Sequence, residues 1–560
     1  MSRSSSVSRR KFLALCAAAS AGGMLSSTFS CAPNQMGSSS PATNPSAAEP
    51  LAAGPFTADW DSLNQYQCPD WFRDAKFGLW AHWSAQCVPE QGDWYARQMY
   101  IQGHKQYDYH VKTYGHPSQF GFKEINNLWK AENWDPDKLI SLYKRAGAKY
   151  FVALANHHDN FDNYDSKYHA WNSVNIGPKK DLIGAWARVA RANGLRFGVT
   201  NHCSHAWHWF QTAYGYDAEG PMAGVRYDAF TSYANQGSGK WWNGFDPQEL
   251  YVGQSLVIPD GIKTLREMND WHAKNDRVWH EDMPLAHPEF AVNWLLRVKD
   301  LINKYQPDLL YYDDTELPFG KLGLESAAHF YNASIALHGK NEAVLNAKGM
   351  APNHRGALVE DHERGLLDAI EPLPWQTDTC IGNWHYQRDI TYKTPKVVAQ
   401  MLCDIVSKNG NLLLNIPVRG DGTIDDKEVE FIKNFTAWMD INSEGIFATR
   451  PWRVFGEGPS RPAASTARFN ESRLRYSAQD VRYTTKGGVL YMYLLGIPTD
   501  DIKIRTLGKS SNVSSPIKAI TMLGSTDQIQ WAQNSDFLVI TKPTNFTSPD
   551  VIGFKITLGA

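Results

Sequence analysis

Short apolar runs that are typical of buried strands alternate with longer amphipathic stretches through the middle of the chain. The run at 150–155 is preceded by a stretch of helical spacing, 136–146, with Gly147 placed as its C-cap. A second helical stretch, 181–192, ends before a glycine, and the next apolar run follows at 196–200. The repeated order of helix, glycine and buried strand predicts a parallel sheet.

Polar and ionisable residues follow these apolar runs. Six predicted strands end in this way, at His82, Asn156 to Asp159, Asn201 and His202, Asp313 and Asp314, Asn346 and Lys348, and Asn415. A (β/α)8 barrel builds its active site at this rim, because its βα loops converge there. A doubly wound sheet does the same, but no glycine-rich phosphate loop follows the first strand. We therefore predict an α/β fold, a (β/α)8-like TIM barrel over residues 55–450.

Two regions depart from this alternation. Residues 203–290 are long for one connection and rich in aromatic residues, so we predict an insertion over the barrel mouth. From about Trp452 apolar and polar positions alternate, and Lys486-Gly487-Gly488 is placed as a hairpin turn. We predict a C-terminal antiparallel β-sandwich over residues 451–560, without a catalytic constellation of its own.

The first fifty residues have the composition of a targeting segment followed by a linker. Arg9-Arg10-Lys11-Phe12-Leu13 precedes a short apolar stretch, which predicts an export signal of the twin-arginine type over residues 1–31. Cys31 is placed for a lipid anchor, and a cleaved signal without lipid is the alternative. Residues 32–54 are rich in Ser, Pro, Ala and Asn and predict a flexible linker. We expect an exported bacterial protein, either periplasmic or an outer-membrane lipoprotein.

Composition narrows the possible partners. The net charge is −2, from 56 basic and 58 acidic residues, so the basic surface that nucleic-acid binding needs is not expected. The 21 tryptophans offer flat faces for sugar rings, although a Trp-rich core would explain the same count. The cysteines beyond the leader include no CxxC pair, so neither a disulfide framework nor a zinc site is predicted.

Three kinds of chemistry fit the predicted rim. A metal-dependent hydrolase would use the histidine cluster, but its spacing lacks an HExxH pattern, so no metal or other cofactor is expected. A non-catalytic exported carbohydrate-binding protein would keep the tryptophans. A glycoside hydrolase would use two carboxylates, ~5–5.5 Å apart in a retaining enzyme. The acids near predicted strand ends are Asp93, Asp159, Asp313, Asp314, Glu316, Glu360, Asp361 and Glu363.

A series of motifs resembles the α-L-fucosidases of glycoside hydrolase family 29. In chain order these motifs lie at 71–83, 92–97, 157–161, 164–166, 171–173, 180–184 and 409–416. The resemblance implies a retaining exo-enzyme that hydrolyses terminal α-L-fucosyl residues from oligosaccharides or glycoconjugates by double displacement. A fucosylated glycan would then be its partner. An α-L-galactoside differs only at C6 and would also fit.

The resemblance places the nucleophile on Asp313, the aspartate that closes the fourth-strand motif. The acid/base is expected on a loop after the fifth strand, where Glu363 fits the distance from Lys348 best. Glu360 is the second choice and Asp378 the third. Since two neighbouring carboxylates raise the pKa of one of them, we expect Glu363 to stay protonated at neutral pH.

The other site residues are expected to bind the sugar. The resemblance assigns this role to His82, Asp93, Trp94, His157, His158, His202, Lys348 and Trp384. Three of these depart from the family pattern. Asp93 replaces a glutamate that is one methylene longer, His202 stands where the family has an aromatic pair, and Lys348 replaces an arginine. Lysine keeps the charge of arginine but loses its bidentate fork.

Overall fold

The computed structural model describes residues 49–462, 468–473, 475–513 and 515–559. Eight parallel strands close into a barrel in chain order. They are β1 (Phe77–Ala81), β2 (Tyr150–Asn156), β3 (Arg196–Asn201), β4 (Leu309–Thr315), β5 (Val344–Lys348), β6 (Val359–Asp361), β7 (Trp375–Cys380) and β8 (Gly410–Asn415). β8 pairs with β1 through partners such as Leu413 and Gly78, which closes the ring. The predicted barrel is confirmed.

Helices connect most of these strands. The long ones are Pro136–Arg145, Leu182–Ala192, Pro288–Tyr305, Lys321–His338, Pro395–Ser407 and Asp426–Asn442. The other α-helices lie before β1, between β1 and β2 and in the insertion: Trp60–Leu63, Asp70–Ala75, Tyr95–Gln98, Lys105–Tyr114, Phe122–Leu128, Ala206–Trp209, Asp228–Thr231, Pro247–Tyr251 and Leu265–Asn275. Asp135 and Asp181 cap the two helices that begin directly after them, each by accepting a backbone N–H bond. Gly147 follows the first of these helices with φ 99°, a conformation that favours glycine.

Strands β6 and β7 were missed by the sequence prediction, because their inward side chains are polar. Gln376 donates a hydrogen bond of 2.9 Å to Asp361, and Tyr311 donates one of 3.1 Å to Asp378. All four side chains are buried in the barrel. An interior built from hydrogen-bonded acids and amides leaves no apolar run for a pattern search to detect.

The insertion at 203–290 is held against the long connection between β1 and β2. Buried Arg97 pairs with Asp276 at 2.5 Å, and buried Lys123 pairs with Asp228 at 2.7 Å. Asp228 also accepts a hydrogen bond of 2.7 Å from Tyr100. Because a buried charge is costly unless it is paired, these contacts fix the insertion at the rim.

The N-terminal predictions fall mostly outside the described residues. The export signal at 1–31, Cys31 and linker residues 32–48 lie there, whereas residues 49–54 contact the barrel. Glu49 accepts hydrogen bonds from Tyr168 and Asn303, and the backbone N–H of Ala52 donates to His329. The end of the predicted linker is therefore bound rather than free. Within the part of the chain that the structure describes, we find no helix with the length and apolar character of a membrane span.

The C-terminal region consists of two antiparallel sheets. The larger has the order β13 (Ile517–Met522), β16 (Ile552–Leu558), β11 (Val489–Leu494), β10 (Val481–Lys486) and β9 (Arg450–Glu457). The smaller has the order β12 (Ile502–Ile504), β15 (Leu538–Ile540) and β14 (Trp531–Gln533). Apolar residues of both sheets share one core, so the predicted sandwich is confirmed. Arg482 of β10 forms a buried ion pair of 2.5 Å with Asp404 of the barrel helix Pro395–Ser407.

Candidate active site

A cavity of about 420 Å³ opens at the C-terminal rim of the barrel. All of the predicted site residues line it: His82, Asp93, Trp94, His157, His158, His202, Asp313, Lys348, Glu363 and Trp384. They come from the ends of several strands and from the loops that follow. This convergence is what parallel strands of a closed barrel produce at their carboxyl ends.

The side chain of Lys348 joins the two predicted catalytic carboxylates. Its Nζ lies 2.5 Å from Oδ1 of Asp313 and 2.6 Å from Oε2 of Glu363. The two oxygens that contact this nitrogen are at most about 5 Å apart, which is closer than the ~6.5–9.5 Å between the carboxyl groups of an inverting glycosidase and fits the ~5–5.5 Å of a retaining one. Lys348 is among the predicted substrate-binding residues, and in the structure its ammonium contacts both acids.

The two acids have opposite pKa shifts. Burial alone would raise the pKa of Asp313, but the ammonium of Lys348 and hydrogen bonds from His158 and His202 hold it well below its ordinary value. Burial raises the pKa of Glu363, and the negative charges of Asp378 and Asp313 add to this, against the opposing effect of Lys348. An ionised Asp313 beside a protonated Glu363 is the division of roles that a nucleophile and a general acid need.

An irregularity in β4 aims Asp313 into the cavity. The pairing of β4 with β5 shifts between Tyr311 and Thr315, so that this stretch of β4 is longer than its partner. Such a bulge bends a strand and redirects its side chains. The side chain of Asp314 instead accepts a hydrogen bond of 2.7 Å from Ser204.

The three candidates for the acid/base occupy different places. Glu363 lines the cavity and contacts Lys348. Glu360 does not line it, and its carboxylate accepts hydrogen bonds from Arg355 and from the backbone of Met350. Asp378 lines the cavity but is buried in the barrel interior. Geometry therefore favours Glu363.

Histidines surround the Asp313 carboxylate. Nδ1 of His202 lies 3.1 Å from Oδ2 of Asp313, and Nε2 of His158 lies 3.4 Å from the same oxygen. His158 is oriented by its Nδ1, which lies 2.6 Å from the carbonyl oxygen of residue 202. In His82 both ring nitrogens are buried without a partner among the described residues, so they are free to bond a ligand's hydroxyl groups.

Asp93 positions a histidine that the sequence did not single out. Its Oδ1 lies 2.6 Å from Nδ1 of His385, whose Nε2 lies 2.8 Å from the hydroxyl of Ser84. Burial and the neighbouring His385 lower the pKa of His82 well below its ordinary value. His82 therefore stays neutral, which leaves one ring nitrogen as a donor and the other as an acceptor.

Aromatic side chains form the walls of the cavity. Trp94 adopts a left-handed backbone with φ 61°, a strained conformation for a residue other than glycine, and such strain is concentrated at functional sites. Its ring stacks parallel to that of Trp279 from the insertion, with centroids 6.4 Å apart. Trp384 also lines the cavity and lies against Trp80, with centroids 5.3 Å apart.

Three groups of side chains within the described ranges have the composition of a metal site. The first is His82, Asp93, His157 and His385, the second is His157, His158 and His202, and the third is His205, Glu281 and Asp314. Several of their atoms already have partners. Gln86 donates to Asp159 and lies 2.9 Å from Nδ1 of His157. In the first two groups, ring nitrogens of His157, His158 and His385 therefore already have hydrogen-bond partners in the protein.

Comparison with known proteins decides the family. The alpha-L-fucosidase family model matches residues 44–444.

The chain belongs to the alpha-L-fucosidase family.

Relatives of this family member are similar over most of their length. Tissue alpha-L-fucosidase of Bos taurus is 27% identical over 492 residues, which cover 86% of this chain and 85% of that protein. The human tissue enzyme is 25% identical, with 86% of each chain covered. A crystal structure of Thermotoga maritima alpha-fucosidase in complex with fucose is 25% identical, with a TM-score of 0.62, and covers 89% of this chain and 99% of that one.

The sequence did not point to several residues that line the site of this family member. Trp279 comes from the insertion, and Arg468 and Phe469 come from the segment between β9 and β10. They lie far from the strand ends in sequence, so the pattern that marked the rim could not find them. The aromatic richness of 203–290 predicted an insertion over the barrel mouth, which contains Trp279, but no signal in the sequence marked Arg468 or Phe469.

The third group of possible metal ligands, His205, Glu281 and Asp314, joins the insertion to β4. Nε2 of His205 lies 3.0 Å from Oδ1 of Asp314, and Glu281 accepts a hydrogen bond of 2.7 Å from the backbone of Thr315. Burial and the charge of Asp314 raise the pKa of Glu281 to about 8. Burial also raises the pKa of Asp314 to about 6. The two acids thus hold a proton at neutral pH that they would lose in the unfolded chain.

Replacing Glu281 with Gln should make stability less dependent on pH. A carboxyl whose pKa is raised by folding destabilises the folded state as pH rises from its unfolded value towards its folded one. The free energy of unfolding should therefore fall less between pH 5 and pH 8 in Glu281→Gln than in the unmodified protein, by about 1 kcal/mol or more. Urea unfolding at both pH values measures this.

Glu430→Gln, a change at an exposed glutamate, provides the control and should leave the pH dependence unaltered. An identical pH dependence in Glu281→Gln and the unmodified protein would rule out this explanation of the contact.

Proposed function

We propose that the protein is a retaining exo-α-L-fucosidase, which removes terminal α-L-fucosyl residues from glycans by double displacement. The observation that carries this proposal is the pair of carboxylates bridged by Lys348. Carboxylates whose facing oxygens are at most about 5 Å apart leave no room for a water between the second carboxylate and the anomeric carbon, so that carboxylate must itself attack. Membership of the alpha-L-fucosidase family supplies the sugar.

The first step forms an ester. Ionised Asp313 attacks the anomeric carbon, and the bond from that carbon to the leaving oxygen breaks while Glu363 gives its proton to that oxygen. In the second step Glu363, now ionised, takes a proton from water. The water oxygen bonds to the anomeric carbon, the ester breaks, and both acids return to their starting states.

Lys348 serves both steps. Before the reaction its ammonium balances the negative charge of Asp313, and in the ester intermediate that charge has moved to Glu363, 2.6 Å from the same nitrogen. A fixed cation between the two acids stabilises each charged state without moving. It also keeps the nucleophile ionised beside a second acid.

The polar side chains around the pair would hold the sugar. His82 offers two unpartnered ring nitrogens, and Nε2 of His202 also has no partner among the described residues. These groups face the cavity between the wall tryptophans. Hydrogen bonds to the ring hydroxyls fix the anomeric carbon against Asp313, and orientation of this kind supplies a large part of the rate.

We also propose that the protein is exported. The support is the Arg9-Arg10 motif with its short apolar stretch, and Cys31 is placed for a lipid anchor.

Expression of the full chain in a bacterium with a twin-arginine pathway, followed by cell fractionation, should place the protein outside the cytoplasm. Arg9→Lys with Arg10→Lys should retain it in the cytoplasm, and unchanged export of that variant would refute the proposal.

Azide should identify the two catalytic carboxylates separately. Asp313→Ala and Glu363→Ala should each lose activity by about 10³-fold or more. In Asp313→Ala, azide occupies the space of the nucleophile and attacks opposite the leaving group, which gives β-L-fucosyl azide from an activated fucoside. In Glu363→Ala, azide attacks the ester on Asp313 and gives the α-azide. Product stereochemistry is read by NMR.

Glu360→Gln is the matched control. Glu360 lies in β6, just before the loop that carries Glu363, but does not line the cavity. It should keep activity within about two-fold of the unmodified protein. Normal turnover by Asp313→Ala, or the same azide anomer from both alanine variants, would contradict the assignment.

Replacing Lys348 with Met should move the pH profile as well as lower activity. Because Lys348 lowers the pKa of Asp313, its loss raises that pKa, and the nucleophile then ionises only at higher pH. The acidic limb of kcat/KM should shift upwards, and the value at the optimum should fall about 10²-fold. Lys348→Arg keeps the cation and should leave the acidic limb near its original position. An unshifted limb in Lys348→Met would show that Lys348 does not control the nucleophile.

A further inference from the structure

We propose that Arg468 and Phe469 form the subsite for the sugar that leaves, that is, the first residue of the glycan beyond the fucosyl unit. This inference rests on the proposed function. Both side chains line the catalytic cavity, although they belong to the segment between β9 and β10. The C-terminal region would then take part in substrate selection as well as in stability.

The backbone of this segment is bound to the acid/base loop. The N–H of Phe469 donates to the carbonyl oxygen of Glu363 at 3.0 Å. The N–H groups of Asn470 and Glu471 both donate to the carbonyl oxygen of Arg364, at 3.2 and 3.1 Å. The side chain of Asn470 accepts from the N–H of Leu366 at 2.8 Å. These bonds place Phe469 directly beside Glu363.

The chemistry then locates the leaving sugar. Glu363 gives its proton to the glycosidic oxygen, so that oxygen must come within hydrogen-bond reach of its carboxyl group. The sugar attached to that oxygen must lie on the same side of the cavity. Since Arg468 and Phe469 are the cavity-lining residues of the segment bound to Glu363, they lie where that sugar is held.

Phe469 has the properties of a stacking surface. It is 58% exposed, which is high for a large apolar residue that lines a cavity. Its backbone is left-handed, with φ 53°, and hydrogen bonds to the acid/base loop hold it there. An exposed aromatic face whose backbone is anchored beside a sugar site can cover the C–H face of a pyranose.

Arg468 has the properties of a polar partner for that ring. Its Nη2 is buried and has no hydrogen-bond partner among the residues that the structure describes. This nitrogen lies close to Gly349, where an added Cβ would approach it to 2.9 Å, so a larger residue there would displace the guanidinium. A buried donor without an acceptor is costly, and ring oxygens or hydroxyl groups of the leaving sugar would supply acceptors.

Two fucosides separate the leaving-group subsite from acid catalysis. Methyl α-L-fucoside needs protonation by Glu363 but has no leaving ring. The second substrate is whichever of α-L-fucosyl-(1→2)-galactose, α-L-fucosyl-(1→3)-N-acetylglucosamine and α-L-fucosyl-(1→6)-N-acetylglucosamine the full-length protein cleaves fastest. Phe469→Ala and Arg468→Ala should each lower kcat/KM for the disaccharide about five- to tenfold. Both should leave the methyl fucoside within about two-fold of the unmodified value.

Conservative variants and a surface control complete the experiment. Phe469→Tyr keeps an aromatic face and should recover most of the disaccharide activity, and Arg468→Lys should recover part of it. Val429→Ala, at another exposed apolar residue, should change neither substrate. An equal loss on both substrates would overturn the inference, because Phe469 would then act by holding Glu363.

Three further results also decide between the possibilities. Unchanged activity of both alanine variants on the disaccharide would overturn the inference. So would an unmodified protein that cleaves methyl α-L-fucoside but none of the disaccharides. An unmodified protein that cleaves no α-L-fucoside, including α-L-fucosyl fluoride, would instead refute the proposed function itself.

Discussion

The ammonium of Lys348 between Asp313 and Glu363 is the interaction on which the site depends. Three ionisable groups share one buried cluster, and the single cation between the two acids balances the charge of only one ionised carboxylate. The histidines around Asp313 decide which acid that is. The arrangement therefore prepares a nucleophile and an acid from two carboxyl groups, and the reaction moves the negative charge from one side of a fixed lysine to the other.

Each part of the fold contributes to holding this cluster. Pairing between β4 and β5 brings Asp313 to Lys348, and the bulge in β4 turns the nucleophile into the cavity. The insertion reaches β4 through Glu281, which accepts from the backbone of Thr315. On the other side, the segment after β9 bonds to the loop that carries Glu363. The barrel thus supplies the reacting groups, and the added regions fix the loops that a barrel alone leaves free.

Much of this could be predicted from the sequence, for identifiable reasons. Strands such as β2 and β8 are continuous apolar runs, so their ends marked the rim, and motif resemblance then assigned Asp313 and the histidines. Strands β6 and β7 escaped because buried Asp361 and Gln376 pair with other polar groups rather than with apolar neighbours. The bridging role of Lys348 depends on distances across strands, and the position of Phe469 depends on contacts between regions far apart in sequence. Neither leaves a local pattern.

The most direct test of the account traps the ester on the nucleophile. In a 2-deoxy-2-fluoro-α-L-fucosyl fluoride the fluorine at C2 slows both formation and hydrolysis of the ester, whereas the reactive fluoride at C1 speeds its formation only, so the ester accumulates on a retaining enzyme. Digestion and mass spectrometry of the inactivated protein should find one 2-deoxy-2-fluorofucosyl unit, and fragmentation of the labelled peptide should place it on Asp313. A label on Glu363, Asp314 or Asp378, or turnover by inversion with no labelled peptide, would contradict the account.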